Sequence, residues 1–325
     1  MLCIQAHHND PYFNLAAEEY LLHRRTEDIF FVWISKPAVI TGKHQNTLAE
    51  INPGFVYEHD IIVARRLSGG GTVYHDNGNL NFTFVTNEEP GKLIDFKRFA
   101  LPVMGFLEQL GIKTTLGAKN DILAGGFKIS GNAGHVYKNR VLHHGTLLFD
   151  SDLRSLRSAL SDNTGRYSSR AVQSNRIQVV NIVDFLARPM PIETFSSQLL
   201  NYILNRYRGE HYILNPEETE WIGRLAAEKY SVWEWIYGYS PDYRFKHEFY
   251  WKNQAVKITF TGQKGIIRDF VMQTALFPEE VCTHMATMFN GCRHTFPYLL
   301  KIAQKLKLPG IPIEKIPDFV TSNLF

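Results

Sequence analysis

Short strands joined by hairpin-length links dominate the first 240 residues of this 325-residue chain. Runs of β-branched and aromatic residues predict strands at Ile29–Ile34, Ala38–Thr41, Ile61–Ala64 and Val141–Phe149. Links of this length cannot contain the crossover that parallel neighbouring strands need. We therefore expect an α+β fold with a mainly antiparallel sheet flanked by helices, and not alternating βαβ units.

Local signals predict the other elements of this large region. Asp10-Pro11 places an N-cap before a proline at the first helical position, so a helix should start there. A second helix carries the apolar stripe from Phe99 to Leu110, and Pro102 would have to sit in its first turn. Asp76-Asn77-Gly78 is turn chemistry, so Val73–Phe84 is predicted to form a hairpin.

The sequence pattern changes near residue 240, where Gly238, Ser240 and Pro241 form a break. Three strand patterns and one helix pattern follow, at Phe245–Trp251, Ala255–Phe260, Ile266–Val271 and Pro278–Asn290. We therefore predict two domains, a large one over residues 1–240 and a small α+β domain over residues 245–325. The polar stretch Ser161–Gln178 of the large domain is predicted to be a mobile surface loop.

Composition excludes several classes of protein. Lys and Arg total 35 against 32 Asp and Glu, a formal charge of +3, which is too small for a strongly cationic nucleic-acid binder. Three scattered cysteines cannot form a disulfide framework and indicate a reducing compartment. The sequence has no secretory-signal pattern and no apolar run of transmembrane length. We expect a cytoplasmic monomer that binds neither nucleic acid nor membranes.

The densest motif is a glycine-rich loop between two predicted strands, Arg65-Arg66-Leu67-Ser68-Gly69-Gly70-Gly71-Thr72-Val73-Tyr74-His75. Three successive glycines let the backbone approach a ligand closely, and their amide groups can form an anion-binding nest. The next element is a strand and no Gly-Lys-Ser/Thr follows, so this is not a phosphate-binding P-loop. The motif predicts an anion-binding loop, and the simpler alternative is a long turn with solvated arginines.

A second motif surrounds Lys128-Ile129-Ser130. On a strand, Lys128 and Ser130 share one face while Ile129 points to the core. A lysine fixed at a strand end suits a phosphate charge. Asp121, which follows Asn120, could hold Mg²⁺, since that ion takes one or two carboxylates together with phosphate oxygens. The simpler alternative is an exposed lysine on an edge strand.

A third motif is the run His143-His144-Gly145-Thr146. Adjacent residues of a strand point to opposite faces, so the two histidines cannot chelate one metal ion. His144 and Thr146 share a face and could line a pocket. A structural histidine is the default alternative for either one.

In this order, the motifs resemble the lipoate–protein ligase A family. The likeness extends to the opening Asp10-Pro11-Tyr12-Phe13-Asn14-Leu15-Ala16 and to Gly42-x-x-Gln45-Asn46, and it covers most of the chain. It implies the biotin/lipoate ligase catalytic fold, which is related to class II aminoacyl-tRNA synthetases. It also implies that lipoate is activated with ATP to lipoyl-AMP. The lipoyl group would then pass to one lysine of an apo lipoyl-domain protein, either a 2-oxoacid dehydrogenase E2 subunit or the glycine-cleavage H protein.

The resemblance implies roles for individual residues. Lys128 would contact the lipoate carboxylate and then the adenylate phosphate, with Ser130 beside it. The lipoate/adenylate loop would comprise Arg66, Ser68, Gly69, Gly70 and Gly71. The acyl chain would lie against His75 and His144, with Thr146 on the same face, and the adenine against Val73, Tyr74 and Asn79. Asn120 and Asp121 would sit at the phosphate and Mg²⁺, and Ser174 and Arg176 near the adenylate. We also expect Arg65, Arg66 and Lys128 to converge on one phosphate.

Two alternatives stay open at this point. A lipoyltransferase that uses only preformed lipoyl-AMP would keep the same loop and Lys128, although Asn120-Asp121 favours a full ligase. A non-catalytic lipoate- or nucleotide-binding protein is the other. Related transferases with a thioester intermediate need a cysteine in the pocket, and the sequence places none in the matched motifs. A biotin ligase would carry a glycine loop of different order.

Overall fold

The computed structural model describes residues 1–89, 91, 94–160, 165–174 and 177–325. Up to residue 160 the chain forms, in order, β1 (Leu2–Gln5), α1 (Pro11–Arg24), β2 (Ile29–Ile34), β3 (Ala38–Thr41), α2 (Thr47–Glu50), α3 (Pro53–Glu58), β4 (Ile62–Arg65), β5 (Val73–His75), β6 (Asn79–Asn87), α4 (Phe96–Gln109), β7 (Thr114–Leu116), β8 (Ile122–Ala124), β9 (Phe127–Ser130), β10 (Asn132–Tyr137), β11 (Arg140–Leu148) and α5 (Leu153–Ala159). From residue 165 onward it forms β12 (Tyr167–Ser169), α6 (Ile192–Arg206), β13 (Glu210–His211), α7 (Pro216–Leu225), β14 (Tyr243–Trp251), β15 (Gln254–Gln263), β16 (Ile266–Thr274), α8 (Glu279–Phe289), α9 (Phe296–Ala303) and α10 (Ile316–Asn323).

The chain divides into two compact units. The first unit comprises Met1–Lys43, Ala64–Arg157 and Ser174–Ser231, and the second comprises His44–Val63, Ser158–Gln173 and Val232–Phe325. The second unit therefore takes in two stretches that precede residue 240. The division into domains 1–240 and 245–325 stays a prediction.

A six-stranded sheet forms the centre of the first unit, with the strand order β10-β11-β6-β2-β1-β13. Its first four strands pair antiparallel, as the short links predict. The exception is β1, which runs parallel to both β2 and β13. Helix α1 supplies the crossover between β1 and β2, a single βαβ step that the strand pattern did not reveal.

The two faces of this sheet carry different helices. Along β6, Leu80, Phe82 and Phe84 belong to the hydrophobic core that α4 and α6 complete. The alternate residue Thr83 instead donates a hydrogen bond to Glu18 of α1, at 2.6 Å. The period of two along the strand therefore separates an apolar face from a face with polar groups.

Capping side chains determine where the helices begin. Asp10 caps α1 as predicted, accepting a hydrogen bond from the backbone amide three residues later. The α4 helix begins at Phe96, because the Asp95 side chain accepts from the Arg98 amide at 3.1 Å. Pro102 consequently lies inside the helix, so its predicted place in the first turn is wrong.

The predicted hairpin over residues 73–84 is also wrong. Strand β5 pairs antiparallel with β3 in a small sheet, whereas β6 belongs to the six-stranded sheet. The turn between them is held elsewhere: the Gly78 carbonyl accepts from the amides of Phe149 and Asp150, at 3.0 and 2.8 Å. A β-carbon at Gly78 would overlap the Asp150 carbonyl, so the turn packs against the end of β11. This contact directs the chain into a different sheet.

An antiparallel meander of β14, β15 and β16 forms the centre of the second unit, as predicted. Strand β12 pairs with β14 at its edge, so part of the stretch predicted to be a mobile loop is a strand. Residues 161–164 and Arg176, which belong to the same stretch, lie outside the described residues. In the part of the chain that the structure describes, no helix combines the length and apolar character needed to cross a bilayer.

Candidate active site

Arg66 lies beneath the glycine-rich loop and is almost completely buried. Its Nε donates to Ser68 Oγ at 3.0 Å, and its other nitrogens donate to three backbone carbonyls. These carbonyls are Ile40 at 3.1 Å, Gly69 at 2.6 Å and Gly71 at 2.7 Å. Burial lowers the pKa of Arg66 to about 10, and the charge of Glu18 opposes that effect. The guanidinium therefore remains charged at neutral pH and holds the loop from below.

This arrangement orients the loop amides. A trans peptide points its N–H opposite to its carbonyl. Because the Gly69 carbonyl faces Arg66, the N–H of Gly70 points away from the guanidinium. Gly70 adopts a φ of +85°, which only glycine tolerates readily. Two residues later, the backbone amide of Thr72 donates to Ser174 Oγ at 2.8 Å. The Gly70 amide thus points to the side opposite Arg66, as an anion-binding nest requires, while the Thr72 amide is held by Ser174.

The two arginines do not converge with Lys128 on one phosphate, so that expectation is wrong. Arg65 is fully buried and donates to the carbonyls of Gly42 and Lys43, both at 3.0 Å. The physical reason is that closely packed loop carbonyls need donors, and a planar guanidinium satisfies several of them at once. Arg65 and Arg66 therefore shape the loop through its backbone.

Lys128 extends from β9 over Gly131. Its Nζ lies 2.7 Å from Asp121 Oδ1, and its Nζ and Cε would each be 3.2 Å from a β-carbon at Gly131. The lysine side chain is about one-fifth exposed, whereas Asp121 is buried. The Gly131 amide donates to Thr146 Oγ1 at 3.2 Å, which connects this region to β11. Lys128 is therefore an oriented cation and not a solvated edge-strand lysine.

Ser130 and Asn120 both lie close to Asp121 and Lys128 in the chain. Ser130 is fully buried, and its Oγ accepts from Asn132 Nδ2 at 3.3 Å. Asn120 is exposed with a φ of +62°, and its carbonyl accepts from the same amide at 2.8 Å. Both residues lie beside the Lys128–Asp121 pair and shape its hairpin.

His144 connects the glycine loop to helix α1. Its Nε2 lies 2.6 Å from Ser68 Oγ, and its Nδ1 lies 3.0 and 2.9 Å from the two carboxylate oxygens of Glu18. Glu18 is buried, and Thr83 also donates to it. The sequence interpretation missed Glu18 as a site residue. The available signal was a carboxylate that shares a helix face with Leu15 and Leu22 of α1.

His75, predicted to contact the acyl chain, lies in a different place from Tyr74 and Asn79, which were predicted to contact the adenine. His75 is buried with its ring 5.3 Å from that of Trp33, and burial lowers its pKa to about 3. The charge of Arg66 contributes to this shift, so His75 belongs to the same cluster. Tyr74 and Asn79 are buried elsewhere: β5 turns Tyr74 to the face opposite His75, and Asn79 donates to the neighbouring side chain at position 81.

His143 occupies the apolar face of the sheet, opposite His144, as the strand pattern predicts. Its ring stacks on Phe99 at a centroid distance of 4.9 Å. Burial lowers its pKa to about 3. His143 is a structural residue of the core.

We expect His143→Phe to weaken the loss of stability in acid. The unfolded histidine binds a proton near pH 6.5, but the folded one does so only near pH 3. Stability is therefore complete above about pH 6.5 and falls as the pH decreases toward 3. The variant should reduce the slope of unfolding free energy by about 1.4 kcal/mol per pH unit between pH 6 and 4.

Urea denaturation at several pH values measures this slope. His211→Phe is the matched control, because His211 is exposed in β13. That control should keep the wild-type slope. An unchanged slope in His143→Phe would mean that His143 gains a proton in the folded protein.

Comparisons with known proteins identify the family. A family described as "Lipoyl protein ligase A/B catalytic domain" matches residues 10–204. Lipoate–protein ligase 1 of Staphylococcus aureus is 39% identical over 292 residues, or 89% of each chain. Lipoate-protein ligase LplJ of Bacillus subtilis is 41% identical over 266 residues, or 80% of each chain.

Solved structures give the same result for the fold. A lipoate-protein ligase A bound with ATP has a TM-score of 0.63 and 25% identity, covering 73% of this chain and 98% of that chain. The T. acidophilum protein Ta0514 with bound lipoic acid has a TM-score of 0.61 and 26% identity, covering 72% and 97%. The family match includes the glycine loop, Lys128 and His144, since all of them lie within residues 10–204.

Proposed function

This chain belongs to the lipoate–protein ligase family, and we propose that it activates lipoate with ATP and then transfers the lipoyl group to a lysine of an acceptor domain. The observation that carries the proposal is the continuous arrangement from Lys128 to the glycine loop. Lys128 lies over Gly131, which bonds to Thr146, and His144 on the same strand face bonds to Ser68. This continuity supports a single site that contains both the fixed cation and the glycine loop.

Lys128 is suited to the activation step. In that step a lipoate carboxylate oxygen bonds to the α-phosphorus of ATP, and the bond to pyrophosphate breaks. An ammonium has three donors, so Lys128 can hold Asp121 and two ligand oxygens at once. Its charge and the loop amides stabilise the negative charge that develops on the phosphate.

The same groups serve the transfer step. The acceptor lysine, once deprotonated, attacks the acyl carbonyl of lipoyl-AMP, and the bond to the phosphate oxygen breaks to release AMP. Lys128 stabilises the departing phosphate. Cys3 is buried in the core, and burial raises its pKa to about 11, which supports a direct transfer without an enzyme thioester.

We propose that Asp121 holds Mg²⁺ jointly with ATP phosphate oxygens. No group of three or more His, Cys, Asp or Glu side chains in the described ranges could hold a metal ion. One carboxylate fits Mg²⁺ well, because this ion is often bound through one or two carboxylates and substrate phosphates. Bound there, the ion would neutralise phosphate charge, while Asp121 also orients Lys128.

The remaining assignments are proposals about partners and placement. We propose E2 lipoyl domains and the glycine-cleavage H protein as acceptors, and a monomeric cytoplasmic enzyme. The adenine is proposed to lie near Val73, Tyr74 and Asn79. Ser174 is proposed to lie near the adenylate, which its bond to the Thr72 amide supports.

Pyrophosphate release tests the activation step. The protein is incubated with ATP, Mg²⁺ and lipoate, and pyrophosphate is measured with and without lipoate. We expect lipoate-dependent release. Calorimetric binding of lipoate without release would favour the non-catalytic binding protein instead.

A further inference from the structure

Glu18 is the buried end of a continuous chain of hydrogen bonds that reaches the glycine loop. We propose that Glu18 is a positioning residue that fixes the loop through His144, Ser68 and Arg66. The proposal builds on the proposed function, because the loop matters as the ligand-binding element of the ligase. The effect of Glu18 on the loop, however, can be tested by measurements that do not depend on enzyme activity.

Hydrogen-bond geometry determines the state of His144. Its Nδ1 faces both oxygens of Glu18, and a carboxylate only accepts, so Nδ1 must carry a proton. At the other end, Ser68 Oγ lies 2.6 Å from Nε2 and already accepts from Arg66 Nε. We assign the Ser68 hydroxyl proton to the bond with Nε2, which corresponds to an Nδ1–H imidazole. The bond made by one ring nitrogen thus sets the role of the other.

The chain continues from Ser68 into the loop backbone. With its proton directed to His144, Ser68 Oγ keeps a lone pair for Arg66 Nε. This bond sets the plane of the guanidinium, whose Nη2 donates to the carbonyls of both Gly69 and Gly71. Five donors in one rigid plane mean that rotating Arg66 would break both carbonyl bonds together. Glu18 consequently influences the direction of the loop amides from three side chains away.

Charge reinforces this connection. Arg66 is buried, and the negative charge of Glu18 favours its protonated form. Thr83, the cross-strand partner of His144, also donates to Glu18 at 2.6 Å and helps to fix its rotamer. Glu18 is therefore both the orienting acceptor for His144 and a counter-charge for the loop arginine.

The test uses two isosteric substitutions on the same helix. Glu18→Gln removes the charge and replaces one of the two carboxylate acceptors facing His144 Nδ1 with an amide donor. Glu19→Gln is the matched control, because Glu19 is also buried but pairs with Lys229 and Tyr230. Nitrogen NMR of His144 gives the tautomer, and hydrogen–deuterium exchange over residues 66–75 gives the mobility of the loop.

The wild-type protein should show a single Nδ1–H tautomer of His144. Glu18→Gln should lose that single state and should exchange loop amides at least tenfold faster, whereas Glu19→Gln should leave both unchanged. The kcat/KM for lipoate-dependent pyrophosphate release should fall about 10–100-fold in Glu18→Gln only, the usual range for groups that orient a ligand-contacting side chain.

Two results would overturn the positioning role: an Nε2–H tautomer in the wild-type protein, or loop exchange in Glu18→Gln equal to that of the control. Should Glu18→Gln fail to fold, Ser68→Ala interrupts the chain one step later and must show the same faster loop exchange. Loss of activity in all proteins, wild type included, would count against the proposed function but not against the NMR and exchange results.

Discussion

Replacing Lys128 with alanine is expected to lower the rate of pyrophosphate release and of lipoyl transfer by about 10²–10³-fold. The physical reason is that Lys128 is a fixed cation over Gly131, where negative charge develops in both half-reactions. The removal also leaves the buried carboxylate of Asp121 without its ion-pair partner, 2.7 Å away in the wild type. A loss of stability will therefore accompany the loss of activity.

A double variant separates these two effects. Lys128→Ala with Asp121→Asn removes both charges, so its unfolding free energy should recover most of what the single variant loses, while its activity should stay low. Lys113→Ala, an exposed lysine next to β7, is the matched control and should retain activity. Near-wild-type turnover in a folded Lys128→Ala protein would refute the catalytic role of Lys128.

Replacing Arg66 with methionine is expected to reduce the free energy of unfolding by about 3–5 kcal/mol. The side chain is buried, and its loss leaves the carbonyls of Gly69 and Gly71 without their donor. Ligase activity should be lost as well, because the loop amides are no longer oriented. Urea denaturation measures the stability of the variant, and pyrophosphate release measures its activity.

The control for this substitution is Arg154→Met, an exposed arginine in α5. Its effect on stability should lie within about 0.5 kcal/mol of zero. A loss below about 1 kcal/mol in Arg66→Met would contradict the account, because it would mean that the loop carbonyls find other partners.

Much of the fold could be predicted because local chemistry determines it. The Asp10 cap, the strands β2 and β3, and the meander of the second unit follow from patterns within about ten residues. The hairpin over residues 73–84 failed because its turn is held by the amides of Phe149 and Asp150, which are distant in sequence. Pairing partners, in contrast to strands, depend on such distant contacts.

In the candidate site, too, local motifs could be predicted from the sequence, whereas contacts between distant residues could not. The glycine loop, Lys128 and His144 were recognisable as ordered motifs, and the alternation of β11 correctly separated His144 from His143. The role of Arg65 and Arg66 was not recognisable, because a sequence shows a charge but not the carbonyls that surround it. Glu18 was missed for a related reason, since its partners lie on β6 and β11.

The most direct test of the central claim is the modification of an apo lipoyl domain, followed by intact-mass spectrometry. One arm supplies ATP, Mg²⁺ and lipoate, a second supplies preformed lipoyl-AMP, and a third supplies lipoate alone. An ATP-dependent ligase should add one lipoyl group in the first two arms and none in the third. Modification by lipoyl-AMP alone, with no product from ATP and lipoate, would contradict the account and identify a transferase that lacks the activation step.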